Sequence, residues 1–268
     1  MGYWFAGHWF EGTDLTLSVT DPSFLFGATI FTTLRVFEGD LQSPLSHWPA
    51  HCDRLHNTIK QLNWPQPNWQ AIKMGATKVA EFYPVVRITL LHDGRELIIG
   101  RQLPTELVTK QQRGIQAWLA ADGIYRRSLA DFKTGNYLGA WQALQGAIAQ
   151  GAGEAILIGV HGDWLETATG NLWGFDGEQW CTPPAQGLLP GVMRAHLMSQ
   201  LQHTGQSIVE IPWTSEHLKQ FEAIAYSNSV VGVIPLTNIK NSSLPYVCDP
   251  DHAAVRALQK LSGYSKSL

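Results

Sequence analysis

Residues 131–140, DFKTGNYLGA, place a single lysine between an aromatic residue and a run of small and amide side chains. The residues that follow, 137–150 (YLGAWQALQGAIAQ), are apolar and alanine-rich and predict a helix. Lys133 therefore has two interpretations. It either extends along the surface with its amine in water, which is common, or it is a desolvated amine that can act as a nucleophile. The spacing of the residues does not decide between them.

The composition is that of a globular chain long enough to bury a substantial core. It has 268 residues, 44% of them hydrophobic and 15% charged. A formal net charge of -3 gives no electrostatic support for binding nucleic acid or an anionic membrane. Three widely separated cysteines favour reduced thiols over a disulfide framework. We therefore expect a cytoplasmic protein without a signal peptide or an apolar run of the roughly 20 residues that span a bilayer.

The pattern of strands and helices predicts an α/β (α+β) chain in two domains. In the first hundred residues, hairpin signals occur at 3–12 and 85–100, and other β-rich runs at 28–37 and 40–45. Helical periodicity occurs at 47–62 and 68–82. The polar segment 101–114, which contains Pro104, is interpreted as a connector. We therefore predict a small N-terminal α+β domain, 1–110, and a larger C-terminal domain, 111–268, that closes with a helix at 251–263.

The segment 187–195, GLLPGVMRA, is a Gly/Pro turn that opens a predicted helix. Gly191 allows close approach of the backbone, and the amides of Val192 and Met193 would lie at the start of the helix. Such amides, with the helix dipole behind them, suit an anion and especially a phosphate. The alternative is a plain turn that binds nothing.

A second polar segment, 226–232 (YSNSVVG), carries Asn228 and Ser229 between two apolar strands. These side chains could bind another edge of the same anion, or they could belong to an ordinary loop. Arg54 lies on a helical segment, where it is either a partner in a surface salt bridge or a bidentate phosphate ligand.

Glu166 lies in the strand-like run 164–175, WLETATGNLWGF. It is either exposed on a sheet edge or, if buried, in need of a cationic partner. A metal site is not expected, because His47 and His51 are separated by Pro49 and the other histidines have no ligand spacing.

In chain order, these segments resemble the motifs of fold type IV pyridoxal-phosphate enzymes. An arginine in the first third is followed by FKTGNY, ETATGNLW, GLLPGVMR and the SNS loop, and the resemblance extends from residue 17 to residue 236. The group includes branched-chain and D-amino acid aminotransferases and 4-amino-4-deoxychorismate lyases. It implies a two-domain homodimeric enzyme that has a larger, barrel-like C-terminal α/β domain and uses pyridoxal 5'-phosphate.

The resemblance also implies roles for individual residues. Lys133 would carry the cofactor as a Schiff base and then act as the general base, and Glu166 would pair with the pyridine nitrogen. Tyr137 is a candidate contact of the phenolic oxygen, although KTGNY is one residue shorter than the KTGGNY of branched-chain enzymes. The phosphate and its surroundings would be contacted by the remaining members of the set, Arg54, Gly191, Val192, Met193, Asn228 and Ser229. Met193 stands where aminotransferases commonly have threonine.

Two short motifs favour one reaction within this group. FTTLRV, 31–36, and NSVVGVIPL, 228–236, resemble the lyase forms. The expected reaction is therefore conversion of 4-amino-4-deoxychorismate to 4-aminobenzoate and pyruvate, in folate precursor synthesis. A class IV aminotransferase of branched-chain or D-amino acids is the alternative, and a non-catalytic protein that kept the fold is a third hypothesis.

The substrate of the lyase carries two carboxylates, which cationic or hydroxyl groups must meet. Candidates on the predicted strands are Thr32, Thr33, Arg35 and Arg87, with Thr33 also a candidate catalytic residue. For the two arginines, the alternative is the solvated outer face of a sheet.

Overall fold

The computed structural model describes residues 2–242 and 246–264 and contains two compact units. The first unit comprises Met1–Pro104 and Phe132–Asn136, and the second comprises Thr105–Asp131 and Tyr137–Leu268. The boundary predicted at 110/111 thus differs from the observed one, and it falls inside a helix, Leu107–Arg113. The segment 101–114 is therefore not a simple connector, because Pro104 precedes this helix rather than interrupting it.

The first unit is built on a five-stranded antiparallel sheet with the order β2-β1-β5-β4-β3. Its strands are β1 (Gly2–Phe5), β2 (His8–Glu11), β3 (Thr29–Arg35), β4 (Val85–Leu91) and β5 (Glu96–Arg101). Its helices are α1 (Pro22–Leu25), α2 (Trp48–Leu62) and α3 (Trp69–Ala80). The two predicted hairpins, the strand within 28–37 and both long helices are confirmed.

The core of the first unit lies between the sheet and helices α2 and α3. Side chains at alternate positions of β3, Ile30 and Leu34, pack in one buried cluster with Leu55 and Ile59 of α2 and Ile72 of α3. The apolar spacing that predicted α2 thus marks its buried face. The β-run predicted at 40–45 is wrong, since the chain turns there and Pro44–Ser46 form one turn of 3₁₀ helix, with Pro44 in the first position.

Strand β3 lies at the edge of this sheet, and its outer side pairs with the segment Phe132–Asn136. The Phe31 N–H donates to the Lys133 carbonyl at 2.8 Å, and the Gly135 N–H donates to the Thr29 carbonyl at 2.7 Å. These bonds occupy backbone groups that an edge strand otherwise leaves unpaired. They also explain why Lys133, predicted to lie in the second domain, belongs to the first unit.

The second unit is built on an eight-stranded mixed sheet with the order β11-β10-β9-β12-β13-β6-β7-β8. Its strands are β6 (Ile115–Ala120), β7 (Glu154–Ile158), β8 (Trp164–Thr167), β9 (Asn171–Phe175), β10 (Trp180–Thr182), β11 (Ile208–Glu210), β12 (Ala223–Asn228) and β13 (Gly232–Lys240). Because β8 also pairs with β9, six of the strands close into a ring. The predicted α/β class with a barrel-like C-terminal part is confirmed.

The helices that the described residues form around this ring are α4 (Leu107–Arg113), α5 (Leu138–Ala149), α6 (Val192–His203), α7 (Ser215–Leu218) and α8 (Ala253–Leu261). The predicted helix after Lys133 is α5, and it packs against β6 and β7 through Ala140, Ala143 and Ala147. Alanines on this face let the helix approach the sheet closely. The C-terminal helix predicted at 251–263 is confirmed as α8.

Replacing Gly135 by alanine tests the pairing of the lysine segment with β3. A Cβ atom at this position would lie 2.2 Å from Thr29 Oγ1 and 3.0 Å from the Gly27 carbonyl oxygen. We expect Gly135→Ala to lower the free energy of unfolding by about 1–3 kcal/mol, the usual cost of overpacking, in urea denaturation. Adding Thr29→Ala removes the closest atom and should recover most of the loss. Wild-type stability of the single variant would contradict the close pairing.

Candidate active site

The amine of Lys133 lies over an aromatic ring of the first unit. Its Nζ atom is 4.7 Å from the centroid of the Phe31 ring, and the Lys133 side chain is half-buried. The guanidinium of Arg87 lies over the same ring, with Cζ 3.6 Å from the centroid. Both distances are in the range of cation–π contacts. Two cations on one buried phenylalanine create a positive environment that favours anionic ligands.

The four predicted substrate residues are divided between the two faces of the sheet. Thr33 and Arg35 share one face of β3 with Phe31, because side chains alternate along a strand, and Arg87 is directly opposite Thr33 on β4. The guanidinium of Arg35 also stacks on an aromatic ring, with Cζ 4.6 Å from the Phe37 centroid. Arg35 and Arg87 therefore do not lie on a fully solvated sheet face, which was the alternative interpretation of the sequence.

Thr32 points to the other face of β3, towards helix α2. Its hydroxyl is 2.6 Å from Nδ1 of His51 and accepts a hydrogen bond from Arg54 Nη2 at 2.5 Å. Thr32 is therefore grouped with the predicted phosphate ligand Arg54 and not with Arg35 and Arg87. His51 was missed as a functional residue, although its position three residues before Arg54 places both on one face of a helix.

Glu166 is buried in the second unit and has a cationic partner. Its Oε1 accepts a hydrogen bond from Arg127 Nη1 at 2.6 Å, and the two side chains are only 6% and 4% exposed. Its Oε2 accepts a hydrogen bond from the Leu189 N–H at 3.1 Å. The structure thus selects the buried alternative for Glu166. Arg127 could not be found from the sequence, because it lies in an irregular segment without periodicity.

Tyr137 contacts this ion pair through Arg127. The guanidinium Cζ of Arg127 is 4.7 Å from the centroid of the Tyr137 ring. Tyr137 is thus placed beside the residue that neutralises Glu166. Its predicted contact with the phenolic oxygen of a cofactor stays a prediction.

The Gly/Pro turn 187–191 is fixed by the same carboxylate and by Asn171. The Leu189 N–H binds Glu166, and the Leu189 carbonyl accepts a hydrogen bond from Asn171 Nδ2 at 2.8 Å. Gly191 lies against Asn171 so closely that a Cβ atom would be 2.1 Å from Asn171 Oδ1. The absence of a side chain at Gly191 is therefore a packing requirement.

Helix α6 begins directly after this glycine, as predicted. Gly191 occupies the N-cap position, and Val192 and Met193 are the first two helical residues, both buried. The amides of a first helical turn have no acceptor within the helix, so those of Val192 and Met193 are suitable donors to an anion.

Asn228 is the last residue of β12, and Ser229 begins the tight turn that leads to β13. The Asn228 Oδ1 atom accepts hydrogen bonds from the amides of Val230 and Val231, at 2.9 and 3.0 Å. The Ser229 carbonyl accepts a hydrogen bond from the Tyr264 hydroxyl at 3.2 Å. The side chain of Asn228 thus stabilises the turn. This is a structural role, in addition to the predicted contact with the cofactor.

Glu154, on β7, is a second buried carboxyl group in the six-stranded barrel-like sheet. It was not identified from the sequence. It accepts hydrogen bonds from the Ala155 amide and from the Thr169 hydroxyl, and Asn228 Nδ2 in turn contacts Thr169 Oγ1 at 3.4 Å. Burial raises the pKa of Glu154 to about 7, although these hydrogen bonds oppose the shift. Glu154 therefore connects the turn that follows Glu166 to the turn that carries Asn228.

The described parts of the chain, 2–242 and 246–264, contain no group of three or more histidine, cysteine or carboxylate side chains placed to hold a metal ion. His51 instead lies buried in α2 and contacts Thr32, while His47 precedes the helix in a left-handed conformation.

The chain is a member of the class IV aminotransferase family. The family model for amino-transferase class IV matches residues 29–239, so the chain belongs to this family of pyridoxal-phosphate-dependent enzymes. A relative described as aminodeoxychorismate lyase, from Vibrio harveyi, is 27% identical over 254 residues, covering 86% of this chain and 90% of that protein.

Solved structures of similar fold carry both descriptions, aminotransferase and lyase. A hypothetical aminotransferase from Mycobacterium tuberculosis, with α-ketoglutarate and PMP bound, superposes with a TM-score of 0.83 at 16% identity, covering 99% of this chain and 98% of that chain. A candidate 4-amino-4-deoxychorismate lyase from Legionella pneumophila superposes with a TM-score of 0.78 at 22% identity, covering 94% and 96%, respectively. At these identities, the structures establish the shared fold.

The Glu166–Arg127 pair is tested by replacing the arginine. Arg127→Met leaves a buried carboxylate without its cation, so we expect the free energy of unfolding to fall by about 3–5 kcal/mol in urea denaturation at neutral pH. Adding Glu166→Gln removes the charge and should restore most of the stability. The neighbouring Arg126 is exposed, and Arg126→Met is the matched control. Equal stability of the Arg126 and Arg127 variants would contradict this account.

Proposed function

We propose that this enzyme is a pyridoxal-phosphate-dependent lyase that converts 4-amino-4-deoxychorismate to 4-aminobenzoate and pyruvate. The observation that carries the proposal is the similarity to the Vibrio harveyi aminodeoxychorismate lyase, which extends over nearly the full length of both chains. The motifs FTTLRV and NSVVGVIPL point in the same direction. An aminotransferase is the second candidate, supported by the fold shared with the Mycobacterium tuberculosis protein.

The chain carries the groups that pyridoxal phosphate requires. Lys133 offers a half-buried amine, Arg54 a guanidinium held by a hydroxyl, and Glu166 a buried carboxylate with a fixed orientation. When bound, the cofactor supplies an electron sink for the bond-breaking step. We assign the amine of Lys133 to covalent attachment, Arg54 to the phosphate group, and Glu166 to the pyridine nitrogen.

Other residues complete the proposed cofactor site. The first amides of α6, at Val192 and Met193, would donate to the phosphate, with the helix dipole favouring negative charge. Arg127 would keep Glu166 in place and compensate its charge before and after the cofactor binds. Gly191, Asn228, Ser229 and Tyr137 are assigned to the surroundings of the cofactor.

Lys133 is also the proposed general base. Once its amine is released by the substrate, it would take the proton from the ring carbon that carries the amino group. The carbon–oxygen bond to the enolpyruvyl group would then break and the ring would become aromatic. The released enolate would take up one proton on its methylene carbon to give pyruvate. No 2-oxo acid acceptor takes part in this reaction, and this distinguishes it from transamination.

The substrate's two carboxylates call for cationic groups near Lys133. Arg87 shares the Phe31 ring with Lys133, and Arg35 and Thr33 lie on the same face of the strand. We therefore assign the recognition of carboxylates to Arg87 and Arg35. Thr33 is proposed as a hydroxyl donor close to the reacting atoms.

The proposed setting is the cytoplasm, because all three cysteines, Cys52, Cys181 and Cys248, are free thiols. Within the described ranges, no helix is both long enough and apolar enough to cross a membrane.

The reaction is tested by incubating the holoenzyme with 4-amino-4-deoxychorismate and no 2-oxo acid. We expect 4-aminobenzoate and pyruvate in equal amounts, and at least about a 10³-fold lower rate for Lys133→Ala, since the nucleophile and the base are both lost. Lys73→Ala, at an exposed position of α3, is the control. Borohydride treatment should fix the chromophore on the peptide that contains Lys133.

Two outcomes would count against the lyase. If no 4-aminobenzoate forms but an amino acid and a 2-oxo acid turn over, the enzyme is an aminotransferase. If the protein takes up no pyridoxal phosphate, the assignment of Lys133 and its partners is wrong.

We also propose that the enzyme is a homodimer. Large apolar side chains are exposed around the start of α5, namely Ile124, Leu138 and Trp141. The backbone of Gly139 lies against the carbonyl groups of the turn that contains Ile124, so this turn and the helix present one apolar patch. Exposed apolar patches of this kind commonly mark protein interfaces.

The patch is tested by placing charges on it. Leu138→Glu combined with Trp141→Glu should convert the dimer to a monomer in sedimentation velocity, because carboxylates cannot be buried there without partners. Gln142→Glu, which adds a charge at an exposed polar position of the same helix, should leave the dimer intact. An unchanged sedimentation coefficient of the double variant would exclude this patch as the interface.

A further inference from the structure

The hydroxyl of Thr32 contacts two side chains whose hydrogen-bonding abilities differ. Arg54 Nη2 approaches Thr32 Oγ1 at 2.5 Å, and His51 Nδ1 approaches it at 2.6 Å. A guanidinium can only donate, so Thr32 must accept from Arg54. The oxygen could accept from His51 as well, but the hydroxyl proton would then have no acceptor among the described residues, and His51 Nε2 also has none of its own. Donation from Thr32 to His51 leaves one buried polar group unsatisfied instead of two, so we assign Nδ1 of His51 as the acceptor.

This direction fixes the protonation of His51. A histidine whose Nδ1 accepts is neutral and carries its proton on Nε2. The environment enforces the same form, because complete burial, together with the positive charges of Arg54, His47 and Lys133, holds the pKa of His51 well below its usual value. His51 thus remains neutral where an exposed histidine would already be protonated.

The buried position of His51 lowers the stability of the protein, which is not expected of a residue with a purely structural role. His51 is 0% exposed, and its Nε2 has no hydrogen-bond partner among the residues that the structure describes. An unsatisfied buried donor lowers stability, and an apolar residue would fill the same space without this cost. The feature that an apolar residue would lack is the Nδ1 acceptor that orients the Thr32 hydroxyl.

We infer that His51 and Thr32 are positioning residues that hold the Arg54 guanidinium in its phosphate-binding orientation. His51 receives the hydroxyl proton of Thr32, which directs the oxygen lone pairs of Thr32 towards Arg54. Arg54 is thereby restricted to one rotamer before the ligand arrives, so less side-chain entropy is lost on binding. This inference rests on the proposed function, in which Arg54 binds the cofactor phosphate.

It also changes the role first predicted for Thr32. A hydroxyl that already contacts the half-buried guanidinium of Arg54 and the buried imidazole of His51 is a poor choice for recognising a substrate carboxylate. Thr32 acts through Arg54.

The experiment compares matched pairs of variants in their affinity for two probes. Apo-enzyme of the full chain is titrated with pyridoxal 5'-phosphate and, separately, with pyridoxal, which lacks the phosphate. Thr32→Val keeps the shape and removes the hydroxyl, whereas Thr32→Ser keeps the hydroxyl. His51→Leu removes the acceptor, whereas His51→Asn places an amide oxygen near the position of Nδ1. Arg54→Gln reports on the phosphate ligand itself.

We expect Thr32→Val and His51→Leu each to weaken binding of pyridoxal 5'-phosphate by about tenfold, equivalent to about 1.4 kcal/mol. Their affinity for pyridoxal should stay within about twofold of the wild type, because only the phosphate contact is disturbed. Thr32→Ser and His51→Asn should bind both probes nearly as the wild type does. Urea denaturation of each variant shows whether it is folded at the assay temperature.

The outcomes separate the inference from the function on which it rests. If Arg54→Gln weakens binding of pyridoxal 5'-phosphate while Thr32→Val and His51→Leu do not, the positioning role is overturned and the phosphate role of Arg54 stands. If His51→Asn is as weak as His51→Leu, the Nδ1 acceptor is not what matters, which also overturns the inference. If Arg54→Gln binds both probes as the wild type does, the proposed phosphate role fails, and the positioning role fails with it.

Discussion

The backbone hydrogen bonds between the lysine segment and strand β3 are the constraint on which the rest of the site depends. Residues 132–136 belong to the first unit and pair with the edge strand of its sheet, and α5 begins shortly after them at Leu138. The pairing fixes the backbone of Lys133 through its own carbonyl group and through the nearby amide of Gly135. It also brings the amine over Phe31, a ring that Arg87 shares. An amine placed in this way is held by sheet geometry and not by a flexible loop.

Buried charge is the second theme, and the charge of Glu166 is compensated locally. Glu166 is neutralised by Arg127 and receives an amide from the turn before α6, so one carboxylate organises three segments of the second unit. Removing one partner of a buried ion pair destabilises a protein strongly, whereas replacing both partners by apolar residues is often neutral or stabilising. Such a pair therefore adds little stability, and its role here is to fix the orientation of the carboxylate. Similar reasoning applies to Thr32, whose buried hydroxyl contacts the half-buried Arg54 guanidinium and the buried His51 ring. In both places, a polar group is buried where the direction of its hydrogen bonds matters.

Much of this architecture could be predicted from the sequence, and the failures have identifiable physical causes. Apolar periodicity located α2, α3 and α5, and Gly-centred turns located the hairpins, because these signals are local. The run at 40–45 failed because proline favours a turn there and a single isolated bridge is all that forms. Arg127 and His51 were missed because their roles come from partners on distant segments. The residues around Arg127 form an irregular loop, and their spacing does not predict an ion pair with Glu166, 39 positions later in the chain.

The sequence by itself determined the family and the order of the motifs, and it gave Lys133 as the candidate for the reactive amine, because these depend on which residue types follow one another. Only the tertiary structure decided which unit the lysine belongs to, that Glu166 is buried with Arg127, and that Thr32 faces Arg54 while Arg35 and Arg87 face the other way. The physical reason is that strand pairing and the alternation of side chains assign each residue a face and a neighbour. Hydrogen-bond direction then follows from which neighbours can donate and which can accept.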